Sequence, residues 1–373
     1  MTIVINCTHF IHSAGNDFFN AYLLQTAAAK PEHQFIFITP VAISSQSINS
    51  ANIINIVSFP KANNPLLWKL WLDYQLPSIA RKHKAEMIVH TGGVCSLRSA
   101  IPQWLFTSDL SFLHFPAFFS KKQLYFLKKN TPAFLSKANH IVTASAFLEK
   151  EISDQYPKVA NKITAVQLSI NNVYQPMGWK EKELIKERYT QGKEYFLFSG
   201  EIHSRNNLVN LLKAFSFFKK RQKSNMQLII TGKTIPGNDR FIETFKTYKY
   251  RDAVKLLMDL PGKDIPEITA AAYAFVYPSL YEGTAIFPLQ AMQCEVPVIT
   301  TNTGAIKEAI GDAALYADPL IFEDIADKMM LVFKDENLRA DLINRGRKGI
   351  AAARKETTIE EAFWKCIENP PPG

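Results

Sequence analysis

Cysteine is scarce in this 373-residue chain: Cys7, Cys95, Cys294 and Cys366 stand far apart, with no Cys-x-x-Cys pair. That spacing excludes a zinc ribbon and a disulfide-framed small fold, and it suits a reducing compartment. No run of about 18 consecutive apolar residues occurs, so no membrane-spanning helix is expected. The opening MTIVINC lacks a basic stretch followed by an apolar one. It reads as a buried first strand, and the expectation is a cytoplasmic protein. Asp-x-Asp, a carboxylate spacing that can hold a metal ion, is also missing, as are repeats, heptads and low-complexity tracts.

What the chain does have is apolar mass: 47% of its residues are hydrophobic, enough for a large core, and its length favours two domains. Its formal net charge is +9, unevenly spread. Residues 1–180 hold 16 Lys and Arg against 8 Asp and Glu, whereas residues 181–373 hold 27 against 26. An excess confined to one half points to an anionic partner for that half. Nucleic acid is disfavoured, because the aromatics sit in core-like runs and no nucleic-acid motif is present. Two readings stay open: an anionic membrane surface or lipid-phosphate acceptor, and plain solubility charge.

Short β-branched or aromatic runs alternate with helical stretches, the pattern of parallel sheets covered by helices on both faces. In the first half strands are expected near 3–7, 35–39, 53–57, 87–90, 104–107, 140–143 and 163–168, with helices such as 18–29 and 121–137. The polar stretch 169–179 reads as a linker. The pattern then restarts with strands at 195–199, 226–230, 274–277 and 298–300. Helices are expected at 208–223, 239–248, 266–272, 287–294, 305–310 and 322–334. In such sheets ligands lie beyond the carboxyl ends of the strands. Four loops of the second half therefore matter most: 200–207, 231–237, 278–286 and 301–304. Each carries glycine, which lets backbone N–H groups approach a phosphate, and helix N-termini favour the same charge.

Three stretches carry a resemblance: YPSLYEGTAIFPLQAM from Tyr277, VPVITTNTG from Val296 and EAIGDAA from Glu308. They resemble the retaining GT-B-fold glycosyltransferases of family four, also described as glycosyl transferases group 1. The stretch from Gly200 to Phe215 and the SDLSFLHFP starting at Ser108 resemble further motifs of that family. The resemblance implies an α/β fold of two Rossmann-like, doubly wound domains facing across a cleft. Residues 1–168 would form the acceptor-side domain and 169–355 the nucleotide-sugar domain. A C-terminal helix at about 356–369, with Phe363 and Trp364, would return to the first. It also implies transfer of a hexose from a UDP- or GDP-sugar to an envelope glycan or lipid-linked acceptor. Anomeric configuration would be retained and neither metal nor other cofactor used. The protein would work in the cytoplasm, with a peripheral station at the inner face of the membrane matching its charge.

Carried over position by position, the resemblance makes Glu282 the residue that contacts the transferred sugar and puts Gln290 at the ribose, where the family has a second glutamate. An amide accepts a ribose hydroxyl more weakly than a carboxylate does. Backbone N–H groups of Gly283, Thr284, Ala285 and Ile286 would face phosphate, beside Gly200. The family's Arg and Lys, which neutralise the donor diphosphate, are replaced by Glu201 and Asn206. Arg205 and Lys233 are the nearby cations that could substitute. In the first half the family histidine is Ser108, while Asp109 remains as a catalytic candidate. Gly15 and Asn16, in a thin glycine loop, and Gly92 with Gly93 complete the acceptor side. His114 reads as a packing or surface histidine. The four replaced positions keep a second reading open: a glycosyltransferase-like binding or scaffold subunit that binds without turnover.

Overall fold

Strands β1 (Thr2–Asn6), β2 (Gln34–Thr39), β3 (Ile53–Val57), β4 (Met87–His90), β5 (Gln103–Thr107), β6 (His140–Thr143) and β7 (Ile163–Ala165) form one sheet in the order β3-β2-β1-β4-β5-β6-β7. Strands β8 (Tyr195–Ser199), β9 (Gln227–Gly232), β10 (Val254–Met258), β11 (Ala274–Tyr277), β12 (Val298–Thr300) and β13 (Ala314–Tyr316) form a second, ordered β10-β9-β8-β11-β12-β13. Every pairing is parallel. This computed structural model describes residues 1–10, 14–43, 50–60, 64–166, 172–233, 239–258, 260–353 and 364.

The chain divides into two units, Met1–Leu168 with Thr357–Gly373, and Ser169–Glu356. The expected return of the last helix falls mostly outside the described residues. Trp364, the described residue of that segment, packs against the rings of His33 and Phe35 in the first unit, with Lys30 over its indole.

Burial explains why the strands read so plainly. The runs from Phe35 to Ile38 and from Tyr195 to Phe198 are buried on both faces, so they are apolar without alternation. Helices Leu208–Gln222 and Phe322–Lys334 cover one another on the second sheet, and Leu211, Leu212, Phe215 and Phe218 face inward as their spacing predicts. Two strands absent from the sequence expectation, β10 and β13, are the two edges of the second sheet. An edge strand is half covered and need not be strongly β-branched. β10 is Val-Lys-Leu-Leu-Met, and β13 has three residues.

The sequence expectation of a helix from 18 also needs correction. Helix Ala14–Ala28 begins earlier, so Gly15 and Asn16 lie in its first turn and not in a loop. The thiols of Cys95 and Cys294 are buried, and desolvation pushes both up to about 12, which leaves them unreactive. Among the described residues no helix is long and apolar enough to cross a membrane.

Each sheet reverses its direction of growth once, between β1 and β4 and between β8 and β11. Loops that leave neighbouring strands in opposite directions open a crevice at such a point. Most of the expected site residues lie on loops at or next to these two places.

Candidate functional site

At the end of β8 the chain cannot run straight on, because β9 is pressed against it. Gly200 N–H donates to the Thr231 carbonyl (3.1 Å) and Ile202 N–H to the Lys233 carbonyl (2.8 Å). A side chain at Gly232, which sits at φ +144°, would place its Cβ 1.6 Å from the Gly200 oxygen. Glycine is therefore required there by backbone contact. The chain then makes a 3₁₀ turn, Ser204–Asn206, whose start is capped by His203 Nδ1 accepting from Arg205 N–H. Asn206 is fully buried, and its Nδ2 donates to the Glu201 carbonyl, closing the loop on itself.

This closure changes the meaning of two expected ligand residues. Asn206 spends an amide donor on its own loop. Arg205 is 9% exposed, which rules out a surface arginine, and its Nη2 lies 3.5 Å from Glu201 Oε2. Glu201 is buried as well. The two side chains form a buried ion pair, so the carboxylate and the guanidinium offset one another. Lys233 follows β9 with an exposed side chain.

Across the switch point, the loop after β11 brings up Glu282, which is buried. Its Oε1 accepts from Ser279 Oγ (2.6 Å) and Tyr277 Oη (3.0 Å). Tyr277 is wholly buried, and desolvation together with the Glu282 carboxylate raises its phenol well above the usual range. It therefore remains a donor to the carboxylate at any working pH. The two loops are joined by the Arg205 carbonyl, which accepts from Leu280 N–H at 2.9 Å. Thr301 Oγ1 (2.7 Å) and Thr303 Oγ1 (3.2 Å) hold the Ser279 carbonyl from the loop after β12. Gly304, at φ +60°, lets Ala305 N–H reach the Glu282 carbonyl at 2.8 Å; a Cβ there would lie 1.9 Å from that oxygen. Glu282 is thus fixed through its carboxylate and its backbone together.

Helix Ile286–Gln293 starts directly after Gly283, Thr284 and Ala285, so the first helical amides lie beside the Glu282 loop. Ile286 opens the helix, and Gln290, one turn on, is buried. The structure brings together Gly200, Glu201, Arg205, Asn206, Glu282 and Gly283 around β8 and β11. Tyr277 and Ser279 were not picked out from the sequence as functional. Their signal was present, since both belong to the same YPSLYEG string as Glu282.

The first unit repeats the arrangement at β1 and β4. Ser108 Oγ donates to Asn16 Oδ1 at 2.6 Å, both side chains being buried. Gly92 packs so closely on the end of β1 that a Cβ would stand 2.8 Å from His9 Nδ1. Gly93, at φ +70°, donates its N–H to the Phe106 carbonyl. Asp109 Oδ1 accepts from Ser111 N–H (2.6 Å), which turns the chain into the short helix Ser111–His114. His114 is an exposed ion-pair partner of Glu151. His9, within 3.0 Å of Asn20 Nδ2, is a polar residue of this group that the sequence reading did not select.

Residues 180–349 match the family described as glycosyl transferases group 1, a span that lies within the second unit. O-antigen chain mannosyltransferase B of Escherichia coli is 28% identical over 64% of this chain and 63% of its own length. O-antigen chain mannosyltransferase RfbU of Salmonella typhimurium is 24% identical over 72% of this chain and 71% of its own. The chain thus spans less than two thirds of the first of these relatives. Among solved structures, Anabaena Alr3699/HepE in complex with UDP-glucose superposes with a TM-score of 0.77 at 13% identity, over 99% of this chain and 98% of that one. The two parallel sheets are of the GT-B fold.

Proposed function

We propose, from the premise that residues 180–349 are a glycosyl transferases group 1 domain, that the protein transfers a hexose from a nucleotide-sugar to a polysaccharide or lipid-linked acceptor. The observation that carries this reading is the buried, doubly hydrogen-bonded Glu282 at the switch point of the second sheet. A carboxylate locked by Ser279 and Tyr277 is positioned to accept hydrogen bonds from sugar hydroxyls, and fixed acceptors cost no reorganisation during reaction. The amides ahead of helix Ile286–Gln293 suit the phosphates, and Gln290 suits the ribose. Mannose is the favoured hexose, because two relatives are named as mannosyltransferases of O-antigen chains. Transfer proceeds with retention and without a metal ion.

In the first unit, Asn16, Ser108 and the glycines Gly92 and Gly93 are assigned to the acceptor, with Asp109 beside them. The Glu201–Arg205 pair favours a second reading, in which donor binding persists and turnover is lost. Thermal-shift titration with UDP-, GDP-, ADP- and dTDP-hexoses tests the first step, since a ligand that binds the folded state raises the melting temperature by mass action. A shift with one nucleotide family is expected, unchanged by EDTA. No shift with any of them removes the proposal.

A further inference from the structure

One helical turn beyond Asp109, the first unit carries a second group of aromatic and polar side chains. Asp109 Oδ1 starts helix Ser111–His114, and Phe115 N–H closes it on the Ser111 carbonyl at 2.7 Å. Pro116 then opens a 3₁₀ turn, Pro116–Phe118. Phe118 N–H donates to the Phe115 carbonyl (3.0 Å) and Phe119 N–H to the Pro116 carbonyl (3.2 Å). The backbone of this stretch is therefore fixed, although it only connects two helices. It sets the rings of Phe115 and Phe118 nearly parallel, with centroids 5.3 Å apart and 6° between their planes. Phe115, Phe118 and Phe119 are half-buried, whereas Phe112, three residues before Phe115, lies in the core.

The next helix supplies polar groups. Helix Ala146–Gln155 places Phe147, also half-buried, and Glu151 four residues apart on one face. The Glu151 side chain is 9% exposed, and its Oε1 is paired with His114 Nε2, whose side chain is 47% exposed. Tyr156 follows as the C-cap of the same helix. Burial, and then the Glu151 charge, raise its phenol, so it stays a hydroxyl donor near the carboxylate. A largely buried carboxylate is thus held close to half-covered rings.

We propose that Phe115, Phe118, Phe147, His114 and Glu151 form a subsite for a hexose unit of the acceptor glycan. Aromatic faces carry partial negative charge and attract the C–H face of a pyranose ring. A carboxylate accepts sugar hydroxyls through charge-assisted hydrogen bonds. Aromatic rings with a few fixed polar groups are the usual lining of a small-ligand site. Charge selects the occupant: Glu151 repels a phosphate, lipid or nucleotide, and suits neutral hydroxyls. A four-residue helix is about 6 Å long, so a glycan whose end lies at Ser108 and Asp109 reaches the rings with its next units. The inference rests on the assignment of the acceptor to the first unit. It deepens that reading, because recognition then extends past the accepting residue to the chain behind it.

The test is a ligand-observed NMR titration of the full chain with α-linked trisaccharides of mannose, glucose and galactose, each against its methyl monosaccharide. One trisaccharide is expected to bind about tenfold tighter than its monosaccharide. Phe115→Leu with Phe118→Leu removes the ring faces and keeps apolar bulk, and it should erase most of that advantage. Glu151→Gln should weaken trisaccharide binding about fivefold. Melting temperature certifies that both variants fold. Tyr125→Leu, which removes a 66%-exposed aromatic of the neighbouring helix Lys121–Lys137, should leave trisaccharide binding intact. The proposal is overturned if no trisaccharide outbinds its monosaccharide, or if the folded phenylalanine variant keeps the advantage. It is also overturned if the Tyr125 control loses as much. Trisaccharide binding as expected, with no nucleotide-hexose raising the melting temperature, would remove the proposed transfer and leave this subsite standing.

Discussion

Replacing Glu201 by Gln should make the protein less stable and its donor binding tighter, two effects of opposite sign from one atom change. Arg205 Nη2 lies 3.5 Å from Glu201 Oε2, with the side chains 11% and 8% exposed. At an effective dielectric constant of about 20, that separation corresponds to about 5 kcal/mol of attraction before desolvation is charged. Removing one partner of a buried pair leaves the other uncompensated, at a cost of about 3 kcal/mol. For a unit of this size that lowers the melting temperature by roughly 10 °C. A guanidinium no longer held by this carboxylate can be shared with a diphosphate, and a charge-assisted hydrogen bond contributes about 2 kcal/mol, or about thirtyfold in affinity. Urea or thermal melts without ligand measure the first effect. Calorimetric titration with the nucleoside diphosphate of the preferred donor measures the second, and Arg205→Ala in the same background should abolish the gain. If affinity is unchanged while stability falls, Arg205 does not face the donor. If affinity falls, Glu201 itself holds ligand. Either result refutes the electrostatic reasoning.

Gly304→Ala should cost at least about 3 kcal/mol and abolish donor binding, because its Cβ would meet the Glu282 carbonyl at 1.9 Å; melting and titration check both. His90 predicts a pH dependence. Its Nδ1 accepts from Asn6 Nδ2 (3.2 Å) and its Nε2–H donates to Gln103 Oε1 (2.9 Å), so the buried ring is held neutral and burial lowers it to about 4. The folded state resists a proton that the unfolded chain takes up near 6.5, so stability is full above that pH and falls by about 3 kcal/mol as pH drops to 4. Urea melts across that window should show the fall, and His90→Gln should reduce it, leaving the share of His140, which burial also lowers.

Much of the fold was legible because buried parallel strands must be apolar on both faces. β3, β4 and β6 coincide with the runs read from the sequence, and helix Lys121–Lys137 does so residue for residue. What escaped was half covered or short: β10 and β13 form sheet edges, where neighbours place less demand on side-chain type. Asn16 falls in the stretch that resembles the family's glycine loop, yet the helix begins before it. At the site, the strand-end rule and the YPSLYEG string pointed to Glu282, and the chain buries it there. The pairing of Glu201 with Arg205 was not legible. It depends on the 3₁₀ turn that swings Arg205 back toward the start of its own loop, a geometry set by β9 pressing on Gly200. The same turn uses one Asn206 amide donor within its own loop.

In the proposed function Glu282 acts on a nucleotide-bound hexose. The direct measurement is release of nucleoside diphosphate from a panel of nucleotide-hexoses, comparing the wild type with Glu282→Gln. The expected result is turnover of one donor, a loss of kcat on the order of a hundredfold in the variant, and an unchanged Kd for the nucleoside diphosphate. Equal turnover by wild type and variant, or binding of a donor that the wild type never turns over, would contradict it.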